Sequence, residues 1–275
     1  MPESLAEPAL LAGVLLIAGL FAGLLAGLLG VGGGIVMVPV LYAVFEAVGV
    51  DESVRMHMAV GTSLLAMIPT SIRSVLAHRS RGAVDEALLR RWLPGVGVGV
   101  LIGAVAAVFA EGLVLRAVFA VFAGVIALYM ALGRESWRVA DRLPGILGQS
   151  GMAAAISGVS VMMGIGGGTF TVPALTLFGY PIHRAVGTAA AVGVLIAIAG
   201  AAGFVLGGLG VQERPWGSFG YASLLGAAAL IPTTILAAPW GAALAHRLSR
   251  VWLKRAFALF LAATALRMAI SLLPA

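Results

Sequence analysis

The sequence predicts an all-α polytopic membrane protein made of two inverted repeats, with about eight full spans plus short re-entrant or broken helices. Three observations carry that prediction. Of 275 residues, 61% are hydrophobic and only 10% charged, and the mean hydropathy is +1.09. A soluble domain has about 25% charged residues, so this chain cannot cover a water-facing surface, and bilayer is its natural solvent. Apolar runs such as residues 9–29, 93–110 and 113–132 are long enough to cross a hydrocarbon core of about 30 Å. Finally, one pattern is used twice. Gly30-Val31-Gly32-Gly33-Gly34 leads into Ile35-Val36-Met37-Val38-Pro39, and Gly164-Ile165-Gly166-Gly167-Gly168 leads into Thr169-Phe170-Thr171-Val172-Pro173. Each copy is followed by a second echo, His57-Met58-Ala59-Val60-Gly61-Thr62 and His183-Arg184-Ala185-Val186-Gly187-Thr188. Two matches in the same order point to a duplicated unit.

Charge and cysteine content narrow the function classes. The net charge of +6 is carried almost wholly by Arg. The arginines fall between apolar runs, so they set membrane orientation and do not imply a nucleic-acid partner. With no Cys there is no disulfide framework, thiol nucleophile or thiolate metal site. Glu3 and Glu7 stand where a cleaved signal peptide would carry basic residues, so none is expected.

Taken in order, residues 9–30 form the first span. Gly19, Gly23 and Gly27 recur every fourth residue and give it a face for close helix packing. The run 30–34 then breaks the helix, because glycine is about 1 kcal/mol less favourable than alanine in a helix interior. Irregular backbone at membrane depth must be buried in protein or line a cavity. Residues 35–45 are too short for a comfortable crossing and read as the returning arm of a hairpin, with Pro39 tolerated in its first turns. An acidic loop (Glu46, Asp51, Glu52) precedes the span 57–76, which holds Gly61-Thr62-Ser63 and Pro69-Thr70-Ser71-Ile72-Arg73. Residues 78–91 are basic overall, with Arg79, Arg81, Arg90 and Arg91 against Asp85 and Glu86. Spans 92–110 and 113–132 meet at Glu111-Gly112.

The connector 133–144, with Arg134, Arg138 and Arg142, divides a first repeat (1–132) from a second (145–275). The second repeat follows the same plan. Span 146–163 meets the second break, and 169–178 is the short arm. Span 183–206, the polar loop 211–218 and span 219–245 with Pro232 and Pro239 follow. The basic stretch 246–255 leads into the last span, 251–273. Leu115-Arg116-Ala117-Val118-Phe119-Ala120 and Leu253-Lys254-Arg255-Ala256-Phe257-Ala258 match as closing helices. Trp92, Trp137, Trp216 and Trp252 lie near span ends, where amphipathic rings prefer to sit. Placing the three basic loops in the cytoplasm starts the first repeat outside and the second inside, with both termini non-cytoplasmic, which is the pattern of an inverted repeat.

A glycine run opening a short helix at membrane depth gathers backbone N–H groups at the positive end of a helix dipole, an anion site made without a full charge. Two such sites facing each other near the midplane suit a small oxyanion. Thr62, Ser63, Thr169 and Thr188 are candidate hydroxyl donors. Arg73 is the candidate cation within a span. His57 and His183, at equivalent repeat positions, are candidate proton carriers. A dinucleotide loop would need a preceding strand and an acidic residue about 20 positions on; here apolar spans flank the glycines. No nucleophile arrangement and no metal-ligand spacing is visible, so neither an enzyme nor a cofactor is expected.

The paired motifs, 30–39 and 164–173, each with its Ala-Val-Gly-Thr element (59–62 and 185–188), resemble the TauE/SafE family of sulfite exporters over nearly the whole chain. The resemblance implies a multi-pass transporter of the cell inner membrane. It implies as substrate a small sulfur-containing anion such as sulfite, thiosulfate or a short organosulfonate, and export as the usual direction. It also carries across Gly32, Gly33, Gly34, Pro39, Gly166, Gly167, Gly168 and Pro173 as substrate-site candidates. A passive anion channel and an integral-membrane enzyme or assembly factor are the alternatives. The latter would need convergent polar groups at the bilayer interface.

Overall fold

Apolar residues fill every helix turn and glycines punctuate the ends, and the outcome is an all-α polytopic membrane protein. The computed structural model describes residues 13–25, 33–133, 137–245 and 250–272. Its helices are α1 (Gly13–Leu25), α2 (Gly34–Ala47), α3 (Glu52–Arg79), α4 (Glu86–Phe109) and α5 (Gly112–Leu132), then α6 (Ile146–Met163), α7 (Gly168–Leu177), α8 (Ile182–Gly207), α9 (Leu224–Ala245) and α10 (Arg250–Ile270). Among the described residues, six of these are long and apolar enough to cross a membrane. The helices that follow the two glycine breaks, α2 and α7, are shorter, with 14 and 10 residues. A feature absent from the sequence reading lies before α9. Where a polar loop and the start of a span are expected, Ser218–Phe219 (β1) and Ala222–Ser223 (β2) pair antiparallel. Gly217 and Gly220, both at positive φ, allow the tight reversal.

Small residues set the helix contacts, as expected where lipid gives no hydrophobic drive for helices to associate. A Cβ added at Gly95, Gly99 or Gly103 of α4 would lie 2.3, 2.1 or 2.5 Å from the carbonyl oxygens of Ser150, Ala154 and Gly158 of α6. The two helices therefore run parallel with backbones touching. The packing face read on α1 is real at Gly19 and Gly23, which meet Thr233 and Thr234 of α9; Gly27 lies outside the described residues. At the centre, α3 and α8 run antiparallel: Gly61 abuts Phe204, Leu64 abuts Gly200, and Ser71 faces Gly193. Helices α5 and α10 are antiparallel as well, since Gly124 faces Ala265 and Arg116 reaches the Ser271 carbonyl.

Two faces follow from these pairings. The arginine-rich face holds the end of α3 and the starts of α4, α6 and α8. The opposite face holds the end of α2, the starts of α3, α5 and α9, and the end of α8. The second hairpin enters and leaves on the arginine-rich face. Leu177 at the end of α7 accepts the Val139 N–H at 2.7 Å, and the start of α6 is tied to Pro144 by Gln149 Nε2 at 2.9 Å.

Candidate functional site

The glycine motifs bring the two hairpin tips together. Helix α6 ends because Gly164 adopts the left-handed conformation (φ 68°), and Ile165 N–H closes back onto the Ser160 carbonyl at 2.9 Å. Helix α2 starts after Gly33, also left-handed (φ 74°). Gly34 then sits so near the other tip that a Cβ would lie 2.7 Å from the Gly164 carbonyl and 3.0 Å from Ile165 Cα. Ser63 of α3 binds the same carbonyl, donating its hydroxyl at 2.8 Å. On the other side Gly167 lies against Val192 and Gly193 of α8.

Both helices after the breaks point their N-termini into this centre. In α7 the Thr171 N–H bonds Gly167 at 2.9 Å, so those of Gly168, Thr169 and Phe170 precede the helix's own ladder. In α2 the Val36 and Met37 N–H groups both turn to the Gly33 carbonyl, at 3.0 and 3.2 Å. Gly34 and Ile35 have no acceptor within the helix. Both helix starts thus lie in buried, glycine-walled backbone, that of α2 against the Gly164 carbonyl at the end of α6 and that of α7 against α8. Gly32 lies outside the described residues. Gly166, Gly167, Gly168 and Pro39 are buried, and Pro173 is half-buried within α7.

The hydroxyl candidates divide by what they bind. Thr62 Oγ1 accepts the Ser223 N–H at 2.9 Å, just before α9, and Thr188 Oγ1 accepts the Asp85 N–H at 3.0 Å, just before α4. The neighbouring glycines match as well, with Gly61 on the Tyr221 carbonyl and Gly187 on the Ala83 carbonyl. Each Ala-Val-Gly-Thr element therefore grips the loop that opens a helix of the other half. Of the four hydroxyls, only that of Thr169 is buried without a partner among the described residues.

Three other sequence readings change. Arg73 is exposed on α3, and among the described residues of the spans Arg116 of α5 is a buried cation, 7% exposed. Its guanidinium binds Glu52 at 2.9 Å, the Ser271 carbonyl at 2.9 Å and Tyr42 Oη at 3.3 Å. The sequence signal was an arginine a few residues into an apolar run with Glu52 to pair it. His57 and His183, equivalent in sequence, are not equivalent in place. His57 is buried, its Nε2 is 3.0 and 3.1 Å from the Ala107 and Ala110 carbonyls at the end of α4, and its ring stacks on Tyr221. His183 is exposed. Trp92, near the start of α4, is fully buried, while Trp216 is exposed. The side chain of Trp252 lies outside the described residues.

On the arginine-rich face the Thr188 grip has an ionic supplement. Asp85 caps α4 by accepting the Leu88 N–H at 2.9 Å, receives the Tyr180 hydroxyl, and faces Arg184 at 3.5 Å. Burial pushes the Asp85 carboxyl up, but the Tyr180 hydroxyl, the Leu88 N–H and Arg184 outweigh it and hold the group below its usual range. Burial, then the bond to Asp85 and its charge, push the Tyr180 phenol up to about 12.

Six long apolar helices, one of them an arm of the second hairpin, define a polytopic helical membrane protein with a buried candidate site at the glycine motifs. The model of the family described as sulfite exporter TauE/SafE matches residues 15–268, and the chain belongs to that family. It is 32% identical over 266 residues, 94% of this chain and 96% of the relative, to a probable membrane transporter protein of Haemophilus influenzae. It is 29% identical to a probable membrane transporter protein of Methanocaldococcus jannaschii, over 70% of this chain and 72% of the relative. A third, of Bacillus subtilis, is 28% identical over 71% of this chain and 78% of the relative. No solved structure matches. The class is therefore that of membrane transport proteins.

Proposed function

We propose that the protein is a secondary transporter that exports a small sulfur-containing anion, such as sulfite, thiosulfate or a short organosulfonate, by alternating access. The single observation that carries this reading is the approach of the α2 start at Gly34 to the tip of the second hairpin, 164–168, so that two buried half-helix starts offer backbone N–H groups to an anion without a resident charge. The relatives' description as transporters and the family's as sulfite exporters support the substrate class. The antiparallel α3/α8 and α5/α10 pairs, together with the matched Thr62 and Thr188 contacts, support two inverted repeats, 1–132 and 145–275, joined by 133–144. On the same reading there are about eight full spans, the arginine-rich face is cytoplasmic, both termini are non-cytoplasmic, and the protein resides in the inner membrane. The protein has no catalytic role in this reading, and His57 and His183 are the groups to examine for proton coupling.

The test is flux in proteoliposomes loaded with sulfite, thiosulfate, sulfoacetate, sulfate or chloride, with and without imposed pH and potential gradients. Saturable, sulfur-anion-selective flux is expected. Linear flux that follows only the anion's electrochemical gradient would replace alternating access by a passive channel. Absence of flux for every anion would remove the anion reading.

A further inference from the structure

The two hairpins share a motif order but not a chemistry. Of the seven buried side-chain polar atoms without a partner among the described residues, four lie on the second hairpin: Gln149 Oε1, Ser160 Oγ, Thr169 Oγ1 and Thr171 Oγ1. Gln149, Ser157 and Ser160 recur at helical spacing along one face of α6, from its first turn at the arginine-rich face to its last turn before Gly164. Thr169 and Thr171 bracket the first turn of α7, whose leading N–H groups have no acceptor in the helix. All five are at most 6% exposed. Equal motif offset places Leu15, Gly23, Ala26, Ile35 and Met37 at these positions in the first hairpin, and none of them has a polar side chain. A buried hydroxyl left unpaired is costly, and polar groups at membrane depth mark pathways.

We infer that the second hairpin alone forms the polar route and the specific end of the site. On this inference a small oxyanion passes between the arginine-rich face and the centre past Ser160, the α6 hydroxyl without a partner among the described residues; the Gln149 amide N–H and the Ser157 hydroxyl are already given to the Pro144 and Ala153 carbonyls. It is then held at the start of α7 by the leading backbone N–H groups with the Ser160 and Thr171 hydroxyls; Thr169, two residues before Thr171 on the helix, faces the other way. The first hairpin is the apolar wall against which the anion is closed off. Several N–H and hydroxyl donors at one helix start suit a group with several acceptor oxygens, such as the SO3 end shared by sulfite and sulfonates, so the tail of an organosulfonate points away from α7. The inference rests on the anion reading above and adds the polarity of the two halves.

The absence of cysteine in the chain makes the test direct. Single variants Ser160→Cys, Thr171→Cys, Ile35→Cys and Met37→Cys are treated in sealed vesicles of both orientations with 2-sulfonatoethyl methanethiosulfonate, itself a small sulfonate. Ser160→Cys and Thr171→Cys are expected to react from the arginine-rich face and not from the other, with sulfate slowing the reaction, while Ile35→Cys and Met37→Cys stay unmodified from that face. Equal reaction from both faces, or no reaction in a Ser160→Cys protein that still transports, overturns the route. Where a cysteine variant fails to insert, Ser160→Ala and Thr171→Val serve instead. Each is expected to raise the half-saturating anion concentration about fivefold with the maximal rate kept, and an unchanged half-saturation overturns the inference. The two readings fail separately. Labelling from one face without flux of any anion sinks the transporter and leaves the route, whereas flux without labelling sinks the route and leaves the transporter.

Discussion

Replacing Gly34 by Ala tests the meeting of the hairpin tips most directly. The new methyl would lie 2.4 Å from Met67 Sδ, 2.7 Å from the Gly164 carbonyl and 3.0 Å from Ile165 Cα. Met67 can swing its sulfur aside, but Gly164 and Ile165 are backbone of the other hairpin, and Gly164 is further held by Ser63. Unstrained non-bonded carbon contacts lie at about 3.5–4.0 Å, so the tips must part by about 0.5–1 Å. Overpacking of that kind costs roughly 1–3 kcal/mol, equivalent to a loss of about 2–10 °C in thermal midpoint for a chain of this size. A displacement of about 1 Å at a site built from backbone N–H groups lowers turnover far more than it lowers stability. Gly167→Ala is the internal control. Its Cβ contacts are 3.0–3.2 Å and its backbone is already helical, so its effect is smaller on both measures. The assay is initial anion flux in proteoliposomes beside thermal unfolding of the same detergent-purified proteins. Wild-type flux and midpoint in Gly34→Ala, or a heavier loss in Gly167→Ala, would refute the tip-to-tip reasoning.

Other outcomes follow from the contacts outside the centre. Thr62→Val and Thr188→Val should each cost about 1 kcal/mol, the value of a lost helix-start hydrogen bond, and the double variant should be additive by chemical unfolding because the two grips share no partner. Arg116→Ala should cost roughly 1–3 kcal/mol, since it takes away three bonds at a buried site. Glu52→Gln should stay below about 1 kcal/mol, because that carboxylate is mostly exposed. Asp85 titrates below its usual value in the folded protein, so its stabilisation is present above its unfolded value of 3.8 and is lost as pH falls through the lower folded value. Asp85→Asn should flatten that acid limb in a pH series of thermal midpoints, and an unchanged limb would assign it to other carboxylates.

Sequence reading reached the fold through composition and duplication, because membrane solvent leaves a signal in every window. It reached the hairpins because glycine runs have few uses in a helical bundle. It found the tips but not their partners: that Gly34 touches Gly164 depends on the crossing of α3 and α8, which no local pattern encodes. Thr62 and Thr188 were visible as a repeated element, but their use as grips on the loops before α9 and α4 depends on residues 161 and 103 positions away. Position in an apolar run singles out Arg73 and passes over Arg116, because it carries no information on packing. Burial was in fact decided by the neighbours Tyr42, Glu52 and Ser271. The unequal hydroxyl content of the two hairpins was printed in the sequence. It gains meaning only once burial shows that Ser160, Thr169 and Thr171 lack partners.

The crossed grips also bear on how the chain is made. Asp85 waits for Thr188 and Ala83 for Gly187, so the start of α4 is finished by a helix not yet synthesised when α4 enters the membrane. At roughly 5–20 residues per second, the intervening 103 residues take about 5–20 s of translation. The glycine face of α4 is covered earlier in synthesis, by Ser150, Ala154 and Gly158 of α6. The first half thus matures on the schedule of the second. Truncation between α6 and α8 would leave an intermediate whose α4 glycine seam is packed but whose α4 start lacks the Thr188 grip.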